Sequence, residues 1–107
     1  SLENLLQSHT GIIRVFPIVP DDFEGGFENL GAQGAFVVAG ERLKDGVRSV
    51  TITSLAGNPC ALANPWPVGQ AQVVDLDTAR PIPAALDKRT IRFPTKARCR
   101  YKVTNHP

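Results

Sequence analysis

Gly34-Ala35-Phe36-Val37-Val38-Ala39-Gly40-Glu41-Arg42-Leu43-Lys44-Asp45-Gly46-Val47-Arg48-Ser49-Val50-Thr51-Ile52-Thr53-Ser54-Leu55 is the stretch that decides the fold. Gly34 to Gly40 is a short apolar run of the kind that makes a strand in a sandwich interior. Polar Glu41-Arg42 follows, and then Lys44-Asp45-Gly46, whose Asp-Gly pair favours a tight hairpin turn because the central positions of such turns need positive φ. From Val47 to Leu55, Val50, Ile52 and Ser54 alternate with Ser49, Thr51 and Thr53. A period of two gives one apolar and one hydroxyl face, so the second half predicts a half-buried strand paired with the first.

The same pattern continues on both sides. Downstream, Gly57-Asn58-Pro59 predicts a turn, Cys60 to Ala63 a short strand, and Asn64-Pro65-Trp66-Pro67 a stiff loop, since each proline restricts itself and its predecessor. Val73-Val74, Ile82 with Ala84 to Leu86, and Thr90 to Phe93 supply further short strands, parted by Asp75 to Thr78 and by Asp87-Lys88. In Ala97 to Val103, Arg98, Arg100 and Lys102 alternate with Ala97, Cys99, Tyr101 and Val103, so one strand face is basic and the other apolar. Upstream, the acidic, glycine-rich loop from Asp21 to Gly26 leads into a strand near Phe27, and Phe23 and Phe27 are expected to pack inward. About seven to nine short strands at this spacing predict an all-β fold, an antiparallel β-sandwich or jelly-roll-like domain.

At the start of the chain the period changes. Leu2, Leu5 and Leu6 recur at three- and four-residue spacings that share one helix face, whereas Ile13 and Val15 suit an extended chain. Residues 1–10 are therefore expected to be a short N-terminal helical remnant and junction, 11–104 the β-sandwich, and 105–107 a frayed tail. A helix this short does not recover its nucleation cost in water, so it reads as the end of a helix from a preceding domain.

With 107 residues there is room for one core, and nine Gly with nine Pro favour short strands over long helices. The longest apolar run, Ala35 to Ala39, falls far short of the roughly 20 residues of a membrane helix, so no membrane partner is expected. A net charge of +2 gives no general attraction to nucleic acid. The bases are uneven, however: Lys88, Arg89, Arg92, Lys96, Arg98, Arg100 and Lys102 form a stretch without acids. A solvated outer face accounts for it, and an anionic partner or a neighbouring domain is the alternative.

Motifs for chemistry are mostly missing. His9, His106, Cys60 and Cys99 have no close pair of the zinc-site type, and no metal or other cofactor is expected. Cys60 and Cys99 read as buried thiols, with a disulfide across the sandwich as the second reading. Asp75-x-Asp77 resembles the start of a calcium loop, but Arg80 and Leu86 stand where Gly and a bidentate Glu are required, leaving a turn or an irregular site. Ser8 and His9 are adjacent without a nucleophile elbow, and no catalytic residue can be assigned. Trp66 is the candidate sugar platform, because an aromatic face covers the C–H surface of a pyranose. Filling the end of the core is the competing reading for Trp66, and the favoured one for Tyr101.

Leu5-Leu6-Gln7-Ser8-His9-x-Gly11-x-Ile13 followed by Phe16-Pro17-x-Val19-Pro20 resembles the junction in glycoside hydrolase family 95, the α-L-fucosidases and their relatives. Leu30 to Val38, Lys44-Asp45-Gly46, Ser54 to Cys60, and Thr95-Lys96-Ala97 with Tyr101 are similar to the strands and turns that follow it there. The resemblance implies a non-catalytic C-terminal β domain packed on an (α/α)6 catalytic barrel of the same protein, with Gln7, Ser8 and His9 ordering the interdomain junction. The family's catalytic residues belong to the barrel, so none is carried over. A carbohydrate-binding module that holds an oligosaccharide at Trp66 is the alternative. The resemblance further implies a periplasmic or extracellular parent, while the sequence itself leaves the cytoplasm open.

Overall fold

The structure is a computed structural model that describes all residues from Ser1 to Pro107. Eleven strands follow one 3-10 turn at Leu2–Asn4: β1 Leu6–Gln7, β2 Arg14–Val15, β3 Gly25–Ala32, β4 Phe36–Leu43, β5 Gly46–Ser54, β6 Cys60–Ala63, β7 Gln70–Asp75, β8 Pro81–Ile82, β9 Ala85–Asp87, β10 Thr90–Phe93 and β11 Cys99–His106. Six form one antiparallel sheet in the order β3-β4-β5-β11-β7-β8. A three-stranded sheet, β6-β10-β9, lies opposite, and the β1–β2 pair extends it through a parallel bridge from Ile13 to Leu62. Ile13 donates to the Ala61 carbonyl at 2.9 Å and accepts from Ala63 N–H at 2.8 Å. The second layer therefore runs β1-β2-β6-β10-β9.

The decisive hairpin forms where its sequence predicts, with Lys44-Asp45 rather than Asp45-Gly46 at the centre of the turn and Gly46 opening β5 at positive φ. Leu43 pairs with Gly46 across Lys44-Asp45, and Val38 pairs with Ile52. Val38, Val50, Ile52 and Ser54 are fully buried. Val38, Val50 and Ile52 join Leu62, Ile91, Phe93 and Ile13 of the opposite layer in one apolar cluster. Gly40 serves this packing: a Cβ there would meet the Phe27 ring at 2.9 Å and the Phe16 ring at 3.1 Å. Those rings lie 5.3 Å apart, and Phe16 also stands 6.0 Å from Phe23, so both expected aromatic residues pack inward. Tyr101 lies beneath, 5.7 Å from Phe93, as the core residue its strand face suggested.

One boundary shifts at each terminus. The expected short helical remnant is present as the 3-10 turn Leu2–Asn4, but it stops there, and Leu6 and Gln7 pair with Val15 and Arg14. Pairing buries Leu6 in the core, a gain that a lone helical turn cannot offer. At the other terminus Asn105 and His106 are not frayed. They pair with Ala71 and Gln70, so β11 runs on to His106.

The registers sort the loops onto two ends. The β3–β4, β5–β6, β7–β8 and β10–β11 connections share one end with the Ser8–Gly11 turn. The β4–β5, β6–β7 and β9–β10 connections share the other with Leu2–Asn4 and Pro17–Pro20. No helix in the structure is long and apolar enough to cross a membrane.

Candidate functional site

At the first end, side chains tie the loops to one another. Ser54, buried on the inward face, has its Oγ 2.7 Å from Thr95 Oγ1 and accepts from Gly57 N–H at 3.0 Å. Thr95 also donates to the Asn58 carbonyl, and Asn58 Nδ2 donates to the Gly34 carbonyl at 3.0 Å. Ser8 Oγ accepts from Gln33 N–H at 2.9 Å, docking the N-terminal turn on the β3–β4 loop. Tyr101 Oη accepts from Lys96 N–H at 2.7 Å. This is the polar end.

Of the three junction candidates, Ser8 makes that side-chain tie, Gln7 is half-buried opposite Arg14, and His9 is exposed. His9 and His106 stand at opposite ends of the sandwich. No three His, Cys, Asp or Glu side chains group closely enough to hold a metal ion. Asp75 spends its carboxylate on the turn after β7, where Oδ1 accepts from Asp77 and Thr78 N–H at 2.8 and 3.1 Å. Cys60 and Cys99 are free thiols, and burial pushes Cys60 up to about 12. Burial likewise pushes the Tyr101 phenol up, against the lowering effect of the Lys96 N–H it accepts.

The opposite end is apolar. Leu2, Ile18, Leu43 and Val68 are exposed there, with Leu86 beside the β9–β10 turn. Ile18 N–H donates to the Asn4 carbonyl at 3.4 Å and Phe16 N–H to Leu5 at 2.7 Å, so the Leu2 turn and the Ile18 loop form one margin. A recess of about 360 Å³ opens next to it, lined by Pro17, Val19, Val47 and Pro65, with Arg42 at its rim. Arg42 is held by the Phe23 and Asp21 carbonyls at 2.6 and 3.0 Å.

Trp66 spans this end. Its Nε1 donates to the Val47 carbonyl at 2.6 Å and its N–H to Asn64 Oδ1 at 3.0 Å, while Asn64 N–H donates to the Arg89 carbonyl at 2.7 Å. One part of the ring packs on the core, as the core reading expected, and another part lines a shallow pocket of about 230 Å³. Asn64, Pro67, Gly69, Leu86, Lys88 and Arg89 complete the pocket. Sequence reading found Trp66 but set Lys88 and Arg89 on a solvated face. The signal for their placement is Asp87-Lys88-Arg89-Thr90, a two-residue hairpin loop with Lys88 at positive φ of 56°.

Together these features define a class, a small two-sheet antiparallel β-sandwich module with one self-satisfied end and one apolar end. Its family is equally plain. Residues 7–103 match the family model described as glycoside hydrolase family 95, C-terminal domain, and the chain belongs to that family. It is thus a domain of a family 95-like protein, associated with a catalytic domain of the same protein. A comparison with curated proteins returned no match.

Proposed function

We propose that the chain is a non-catalytic accessory domain that packs through its apolar end on an (α/α)6 catalytic barrel of the same protein and stabilises it. The parent on this reading is an α-L-fucosidase or a related exo-glycosidase. The observation that carries the proposal is the exposure of Leu2, Ile18, Leu43 and Val68 at one end, beside a recess to which Pro17, Val19, Val47 and Pro65 contribute along with Asp21 and Arg42. Exposed apolar side chains scattered singly are ordinary, whereas a cluster at one end marks a surface that a partner covers. Gln7, Ser8 and His9 order the junction on this reading by closing the β1–β2 hairpin, so that the Leu2 turn is presented at the correct margin.

Hydrogen exchange on the complete protein and on the 107-residue chain tests this. Slower exchange in the complete protein at Leu2–Leu5, Pro17–Val19 and the Leu43–Gly46 turn is the expected result. Equal exchange at all three, or protection confined to the polar end, would falsify it.

The Trp66 pocket favours a second reading, in which the domain also holds an oligosaccharide. Its support is the combination of a partly exposed ring with amide and cationic neighbours.

A further inference from the structure

The groups around Trp66 narrow the ligand of that pocket. Lys88 and Arg89 stand side by side on the turn between β9 and β10. Neither meets a carboxylate: the ion pairs of the chain are Arg48–Glu41 at 3.7 Å and Arg92–Asp87 at 3.9 Å. No Asp or Glu lines the pocket. The Asn64 carbonyl oxygen is taken by Trp66 N–H, which leaves its Nδ2 hydrogens facing no protein acceptor. The polar side-chain groups left without a protein partner are therefore all donors, two of them charged.

A neutral sugar presents hydroxyls, each of which both donates and accepts, and an all-donor wall meets only half of that capacity. A carboxylate accepts only, and its hydrogen bonds to ammonium and guanidinium groups are the stronger, charge-assisted kind. We propose that the Trp66 pocket binds a carboxylated sugar, a uronic acid unit, with its ring against the indole and its carboxylate between Lys88 and Arg89. The proposal rests on the sugar reading of this pocket.

The pocket lies between the β6–β7 loop and the β9–β10 turn. Pro65, next to Trp66, also lines the recess beside Pro17 and Val19, so the pocket borders the surface proposed to meet the barrel.

The test is a two-dimensional amide NMR titration of the 107-residue chain with trigalacturonate and, separately, with its methyl ester, which keeps the sugar skeleton and removes the charge. The expected result is saturable shifts at the Trp66 indole, Asn64 and Leu86, with a Kd in about the millimolar range. Binding should weaken roughly tenfold or more for the ester and for the Lys88→Ala/Arg89→Ala chain, and should fall as salt is added. Both substituted side chains are exposed, and the spectrum of the variant itself reports whether its fold persists. Equal binding of acid and ester overturns the uronate assignment and leaves the sugar reading standing. No shifts with either ligand overturn both. Trigalacturonate shifts that survive the double substitution overturn the assignment by placing the ligand elsewhere.

Discussion

At the polar end Ser54, Thr95, Asn58 and Ser8 join four loops through side-chain hydrogen bonds, whereas the loops of the apolar end leave Leu2, Ile18, Leu43 and Val68 in water. The same chain built both ends from similar hairpins. What differs is the residue that each loop offers. Short hydroxyl and amide groups satisfy loop backbone locally, and Leu55 is the one large apolar side chain left exposed at that end. Leucine, isoleucine and valine gain only by leaving water, and the domain has no side chain of its own to cover them. On the proposed reading, the end that is complete faces water and the end that is not faces the barrel.

Three measurements would break or sharpen this contrast. The largest effect is expected from alkali. The folded-state value of Cys60 is raised from 9.0 to about 12 by burial. Its contribution to stability is fully present below about pH 9 and is lost as pH rises through about 12, on the order of 4 kcal/mol across the window. Urea midpoints should fall steeply above pH 9, less so in Cys60→Ala, and Cys99 should take up iodoacetamide long before Cys60. Rapid alkylation of Cys60 in the native chain would show that the polar end does not seal the core.

Next comes Ser54→Ala, which leaves the Gly57 N–H and the Thr95 hydroxyl without their shared partner. It should cost about 2 kcal/mol by denaturant titration. A loss under about 0.5 kcal/mol would mean that the loops hold without this network. The smallest effect belongs to Leu2→Ser with Ile18→Ser, expected within about 0.5 kcal/mol in the 107-residue chain because both side chains are exposed. In the complete protein the same pair should lower the melting temperature. Equal sensitivity of chain and complete protein would remove the distinction between the ends.

Much of the architecture was legible because its determinants are local. Alternation from Val47 to Ser54 and the Lys44-Asp45-Gly46 turn specify a hairpin within about 20 residues of chain. The extent of the N-terminal helical piece was less legible, for an equally physical reason. Leu2, Leu5 and Leu6 satisfy a helical period by coincidence of spacing, while the partner that makes Leu6 a strand residue, Val15, lies across a turn and joins the core only through the bridge from Ile13 to Leu62. Asn105 and His106 read as a frayed tail for a similar reason, since β7 pairs with them from more than 30 positions away. At the pocket, Trp66 stood out by residue type. Its neighbours Lys88 and Arg89 did not, because only the fold sets the β9–β10 turn against the β6–β7 loop.

β11 is the last strand in sequence, yet it stands in the middle of the six-stranded sheet, between β5 and β7. A polypeptide that stops before Cys99 leaves both neighbours with an open edge, and open strand edges are what proteases and aggregation exploit. The six-stranded sheet is therefore completed by the segment that leaves the ribosome last: until β11 is in place, β5 and β7 have no strand between them.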